Sequence, residues 1–129
     1  MTRKRAFISF DFDNDKAYRD LLVGQAKNPS SPIDIADWSV KEAFDNKWKT
    51  QCREKIKKSQ IVIQLVGKNT HNALGADWEV KCAKEENIPV FGIYINKNDK
   101  GIIPPSLKGS TVIDWTWDGI ASTIEKLLK

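Results

Sequence analysis

Apolar positions along this chain fall in short blocks, and the period of the pattern changes from block to block. Residues 6–10, Ala-Phe-Ile-Ser-Phe, form a largely apolar run that halts at an acidic cluster, the profile of a buried parallel strand. From Asp15 the pairs Ala17/Leu21 and Tyr18/Leu22 recur four apart, which predicts a helix. It ends at Lys27-Asn28-Pro29, because proline cannot continue it. Ile33-Asp34-Ile35 is an alternating stub that predicts a short strand, and a polar and aromatic loop follows through Asp37, Trp38 and Ser39. Trp48, Cys52 and Ile56 then share a stripe at a spacing of four on a charged background, predicting a helix from Trp48 to Ser59 that covers one face of a sheet.

Residues 61–66, Ile-Val-Ile-Gln-Leu-Val, are the clearest buried strand and end at Gly67. Leu74, Trp78 and Cys82 repeat the helical stripe, and residues 88–95 read as a strand with Pro89 near its start, where a missing donor is tolerated. A polar loop rich in glycine and proline spans 96–109, Thr111-Val112-Ile113 predicts a last strand, and Trp117, Ile120, Ala121, Ile124, Leu127 and Leu128 give a final helix its apolar face. Strands alternating with helices predict an α/β fold, a doubly wound parallel five-stranded sheet, with order 2-1-3-4-5 expected. Such sheets bind ligands beyond the carboxyl ends of their strands, near the point where strand order reverses. That rule selects the loops Asp11 to Asp15, Gly67 to His71 and Asp37 to Phe44.

The 129 residues, 40% hydrophobic and 29% charged, fit one domain spanning 1–129 with one core. No apolar run approaches the roughly 18 to 20 residues that cross a bilayer, so no membrane partner and a cytoplasmic location are expected. Cys52 and Cys82 sit on apolar stripes and are expected to be reduced core residues. A formal charge of +4 without a basic stripe argues against a nucleic-acid partner and leaves anionic small molecules as ligands.

Several familiar chemistries fail on spacing. Gly67-Lys68-Asn69-Thr70 lacks the earlier glycine and the hydroxyl after lysine of a phosphate loop, since those places hold Val62 and Asn69. One histidine and two helix-borne cysteines do not make a zinc site, so no metal is expected. A receiver domain would use Asp11, Asp13 and Asp15 but needs an aspartate at the end of the third strand, where Leu65-Val66-Gly67 stands. Carboxylates in Asp-Phe-Asp-Asn-Asp would repel the phosphate of a flavin cofactor; the same acids suit the start of a helix.

What remains is the succession FISFDFDND, a helix leading into SQIVIQLVGKNT, and ADWEVKCAKEENIPVFGIYI. From about Lys4 to Ile95 this resembles the TIR-like proteins of bacterial antiphage Thoeris systems, their TIR-bearing B component. The resemblance implies a flavodoxin-like fold and cleavage of NAD between nicotinamide and ribose by one glutamate, which by position is Glu79. It further implies release of a cyclic ADP-ribose type messenger that activates a separate effector protein, self-association for activity, and NAD as substrate with no other cofactor. TIR enzymes commonly carry a tryptophan four residues before that glutamate; here the position is Gly75, and Trp78 directly precedes Glu79.

The chemistry is intelligible from the residues. Loss of nicotinamide leaves an oxocarbenium-like ribose, which a fixed carboxylate stabilises, so Glu79 is the candidate catalytic group; a solvated helix residue is the alternative. Ser9 and Phe10 end the first strand beside the expected cleft, where a hydroxyl and a ring suit ribose and base, or simply pack there. Asp37, Trp38 and Ser39 lie in a loop that, by the resemblance, helps to close the site or contacts a neighbouring subunit in TIR domains, or merely turns the chain. Asn69 and Thr70 suit sugar or phosphate oxygens and equally a helix cap. Trp78 suits either a substrate stack or, with Trp48, the core. The alternative function is a non-catalytic TIR-like interaction module using aromatic residues such as Trp38, Trp115 and Trp117 as an exposed surface.

Overall fold

The structure, a computed structural model, describes residues 3–35 and 46–128. Asp37, Trp38 and Ser39 lie outside the described residues. Strand β1 (Lys4–Ser9) is followed by helix α1 (Phe12–Ala26), β2 (Ile33–Ile35), α2 (Asn46–Lys57), β3 (Ile61–Val66), α3 (Leu74–Glu85), β4 (Val90–Tyr94), β5 (Val112–Asp114) and α4 (Trp117–Leu127). The sheet has the order β2-β1-β3-β4-β5 with every pair parallel, the flavodoxin-like arrangement expected from the alternation of elements.

Alternation of side chains along the strands decides which helix covers which face. Ala6 and Ile8 of β1, Ile61, Ile63 and Leu65 of β3, and Phe91 and Ile93 of β4 pack with Leu22 and Ala26 of α1 and Ile120 and Ile124 of α4. On the opposite face Phe7, Val62, Val66 and Val90 pack with Cys52 and Ile56 of α2 and Val80, Cys82 and Ala83 of α3. Both cysteines are free and buried, as expected, but the stripe expected for α3 is not its buried face: Leu74 is exposed, and Ala76, Val80, Cys82 and Ala83 are buried instead. Covered on both faces, β3 is buried along its whole length.

Three local expectations need correction. The buried side of α1 is Asp15, Arg19, Leu22, Val23 and Ala26, whereas Tyr18 and Leu21 are about half exposed. Two stripes at a spacing of four were available in this segment, and α1 starts three residues early, at Phe12, with a break from helical geometry at Asp15. Asp11 caps this first turn by accepting from the Asp13 amide at 3.2 Å. Second, β1 starts at Lys4 and ends before Phe10, because Lys4 and Arg5 pair in register with Ile33 and Asp34. Third, Trp115 and Trp117 are not an open aromatic surface: both indole N–H groups donate to Gln25 Oε1, at 3.2 and 2.8 Å, and both rings pack against the core.

The carboxyl end of the sheet is shaped by close backbone approaches. A Cβ on Gly67 would stand 2.6 Å from Asp15 Oδ2, and one on Gly101 would stand 2.7 Å from the Gly67 carbonyl. Gly101 also has φ of +73°, a conformation that side chains disfavour. The loops after β3 and β4 are thereby held together beside the start of α1. No helix among the described residues is long and apolar enough to cross a membrane.

Candidate active site

The switch point between β1 and β3 brings Ser9 and Gln64 into register, with both side chains fully buried on the face covered by α3. On that helix Ala76, Val80 and Ala83 follow the helical repeat and point to the sheet. Glu79 stands one residue off this stripe, on the flank that meets α2, and is partly buried. Its position follows from packing: the small Ala76 lets the first turns of α3 approach the end of β1.

Four polar side chains and one backbone carbonyl lie there. The Ser9 hydroxyl donates to the Ala76 carbonyl at 3.1 Å, and Gln64 Nε2 reaches both Ser9 Oγ at 3.1 Å and the Ala76 carbonyl at 3.0 Å. The Cys52 thiol of α2 donates to Glu79 Oε2 at 3.6 Å. Burial pushes Glu79 from its ordinary 4.5 up to about 8, against the hydrogen bonds of Ser9 and Cys52, which favour the charged form. Burial also drives the Cys52 thiol far up, assisted by the neighbouring Glu79 charge, so Cys52 is a hydrogen-bond donor here and not a thiolate nucleophile.

The structure brings Ser9 to Glu79 and separates most of the other sequence candidates from it. Phe10 lies with the α1 face of the sheet, its ring 5.8 Å from Phe12 and beneath the Arg19 guanidinium at 5.5 Å. Trp78 turns toward α2, with its ring 5.3 Å from Trp48 and Arg53 stacked over it at 5.6 Å. Thr70 is buried and ties its own loop, accepting from the Gly67 amide at 2.8 Å and lying 3.5 Å from Asp15 Oδ2. Asn69 is exposed on the rim. Neither residue caps α3: the cap position is Ala73, and Asn69 only precedes the short 3-10 turn Thr70–Asn72, without a side-chain bond.

Asp11 and Asp15 are buried beside this loop, and burial followed by the Asp11 charge raises Asp15 above its usual range. Among the described residues no group of three or more His, Cys, Asp or Glu side chains is placed to hold a metal ion. A cavity of about 160 Å³ lined by Arg3, Val23, Ala26, Lys27, Asp34 and Ile35 lies at the β2 edge and shares no residue with the Glu79 cluster. Sequence reasoning missed Gln64. The available signal was a lone amide in the otherwise apolar run Ile-Val-Ile-Gln-Leu-Val.

A parallel sheet of order β2-β1-β3-β4-β5 covered by helices on both faces defines a flavodoxin-like α/β protein. Residues 7–100, most of the chain, match the family model described as Thoeris protein ThsB, TIR-like domain, and the chain belongs to that family. It is therefore a TIR-like protein of Thoeris antiphage defence. No curated protein matches the chain.

Proposed function

We propose that this protein cleaves NAD at the bond between nicotinamide and ribose and converts the remainder into a cyclic ADP-ribose type messenger for a separate effector protein. The observation that carries the reading is Glu79: a carboxyl lifted toward neutrality by burial, beside the Ser9 hydroxyl, at the end of β1 where a doubly wound sheet binds ligands. In the reaction the carbon–nitrogen bond breaks and its electron pair passes to the ring nitrogen, so the pyridinium leaves as neutral nicotinamide. Positive charge then develops on the ribose facing Glu79, while Ser9, buried and bonded to the Ala76 carbonyl and Gln64, fixes the wall behind it. A nucleophile within the same ADP-ribose fragment closes the ring and gives up a proton; water in its place yields open ADP-ribose.

A carboxylate about 4 Å from that charge, at an effective dielectric near 20, stabilises it by roughly 4 kcal/mol. That corresponds to about a thousandfold in rate. Glu79 begins largely protonated at neutral pH, and the entering pyridinium favours its ionised form. No general acid is needed, because the leaving group departs neutral. The scheme uses NAD as substrate and calls on no metal or further cofactor.

Mass spectrometry of the products from wild type and Glu79→Gln, at high protein concentration with NAD, tests the reading. Nicotinamide and a cyclic ADP-ribose mass are expected from wild type, with turnover reduced about a thousandfold in the variant. Equal turnover by the two proteins removes Glu79 from its role.

A further inference from the structure

The proposed reaction gives no task to Cys52, although its thiol reaches across from α2 to the Glu79 carboxyl and donates to Oε2 at 3.6 Å. Cys52 is 3% exposed, and burial keeps the thiol protonated, so it stands there as a donor only. Its approach is set by a seam of contacts between α2 and α3. Trp48, four residues before Cys52, lies 5.3 Å from Trp78, which directly precedes Glu79. Arg53, directly after Cys52, forks onto Glu85 and Glu86 of α3 at 2.8 and 2.5 Å and stacks over Trp78. These contacts fix the sliding and the rotation of α2 against α3, and the thiol between them is presented to one oxygen of Glu79. Packing alone would be served at this place by an alanine or a valine.

We propose that Cys52 is a positioning residue for Glu79: its thiol holds the carboxyl by Oε2 and fixes the plane in which that carboxyl faces the substrate. The last torsion of a glutamate is broad and roughly two-fold, so a carboxyl without a directional partner turns easily about it. One donor from a different helix removes that freedom. A thiol suits the task because it is a weak donor, which sets direction while withdrawing little charge from the oxygen. A hydroxyl or an ammonium in its place would hold the carboxylate more tightly and blunt its response to a developing cation. The other titratable groups at this seam are Cys82 on α3 and Lys55 on α2, with Arg53, Glu85 and Glu86 at its outer end. The variants below leave all of them in place.

The catalytic value of this bond rests on the NAD-cleaving reading, but the test of the bond does not. The infrared S–H stretch of Cys52, identified by its loss in Cys52→Ser, should move to lower frequency as pH is raised through the Glu79 titration, because a carboxylate is the stronger acceptor. In Glu79→Gln the same band should ignore pH. Carbon-13 carboxyl NMR of the full chain without ligand follows Glu79 itself, whose resonance is identified by its loss in Glu79→Gln. Cys52→Ala and Cys52→Ser leave nearly the same space and differ by one hydroxyl, so the difference between them isolates the donor. The Glu79 midpoint should lie roughly one pH unit lower in the serine variant than in the alanine variant, with wild type between them. An S–H band indifferent to pH in wild type, or equal midpoints in the two variants, overturns the proposal. If wild type turns over NAD, Cys52→Ala should lower kcat about tenfold with KM little changed, and Cys52→Ser should restore most of it; an unchanged kcat in Cys52→Ala also overturns the proposal. If wild type does not turn over NAD while the band and the midpoints behave as stated, Cys52 still holds the carboxyl and it is the catalytic reading that falls.

Discussion

Replacing Glu79 by glutamine should do opposite things to activity and to stability, and the stability effect is independent of any substrate. In the folded protein the carboxyl titrates at about 8, against an ordinary value of 4.5. Between those two values the folded state holds a proton that the unfolded chain has released, so stability falls as pH rises through this window. Below pH 4.5 both states are protonated and the group is neutral in its effect. At about 1.4 kcal/mol for each unit, the full penalty above pH 8 is at most roughly 5 kcal/mol, and partial exposure of the residue reduces it to about 2 to 5. Glutamine keeps an acceptor for Cys52 and never ionises. For a chain of this length 1 kcal/mol moves the melting temperature by roughly 4 °C. Circular-dichroism melts from pH 4 to 9 should therefore show Glu79→Gln equal to wild type at the acid end and about 8 to 20 °C above it at pH 9. Parallel curves across the range would refute the burial argument and the assignment of Glu79 to a desolvated site.

Other expectations follow from the same coordinates. For wild type, kcat/KM for NAD should climb as pH passes about 8 in the free enzyme, because the proposed mechanism uses the deprotonated Glu79; a flat profile from pH 6 to 9 counts against it. Gly67→Ala should lower stability by about 1 to 3 kcal/mol in urea melts, since the new methyl meets the Asp15 carboxylate at 2.6 Å and the loop must shift. Arg53→Ala removes the fork onto Glu85 and Glu86 and the stack over Trp78, yet these groups are only partly buried and screened by solvent, so the loss should stay at about 1 kcal/mol. A loss above about 3 kcal/mol would show that this corner supports the α2–α3 packing far more than exposed ion pairs usually do.

Much of the architecture was legible along the chain. The alternation of buried strands with striped helices is enough to set a parallel doubly wound sheet, because residues 61–66 are apolar at nearly every position and only a strand covered on both faces tolerates that. Family-specific patterning pointed to Glu79, and strand ends pointed to Ser9. Periodicity alone did not resolve the face of α1, where Ala17/Leu21 and Leu22/Ala26 both fit a helical stripe and the break at Asp15 decides between them. Spacing was also silent on which side of the sheet Phe10 would take, one residue after Ser9 and on the opposite face.

The deeper reason is that sequence specifies periods, and periods specify faces, but chemistry at this site depends on groups far apart in the chain. Ser9, Cys52, Gln64 and Glu79 come from four different elements, and each alone reads as ordinary. A glutamate on a helix flank is a solvated carboxylate until α2 and the end of β1 close over it. Family patterning pointed to Glu79; tertiary packing took away part of its water and thereby raised its titration.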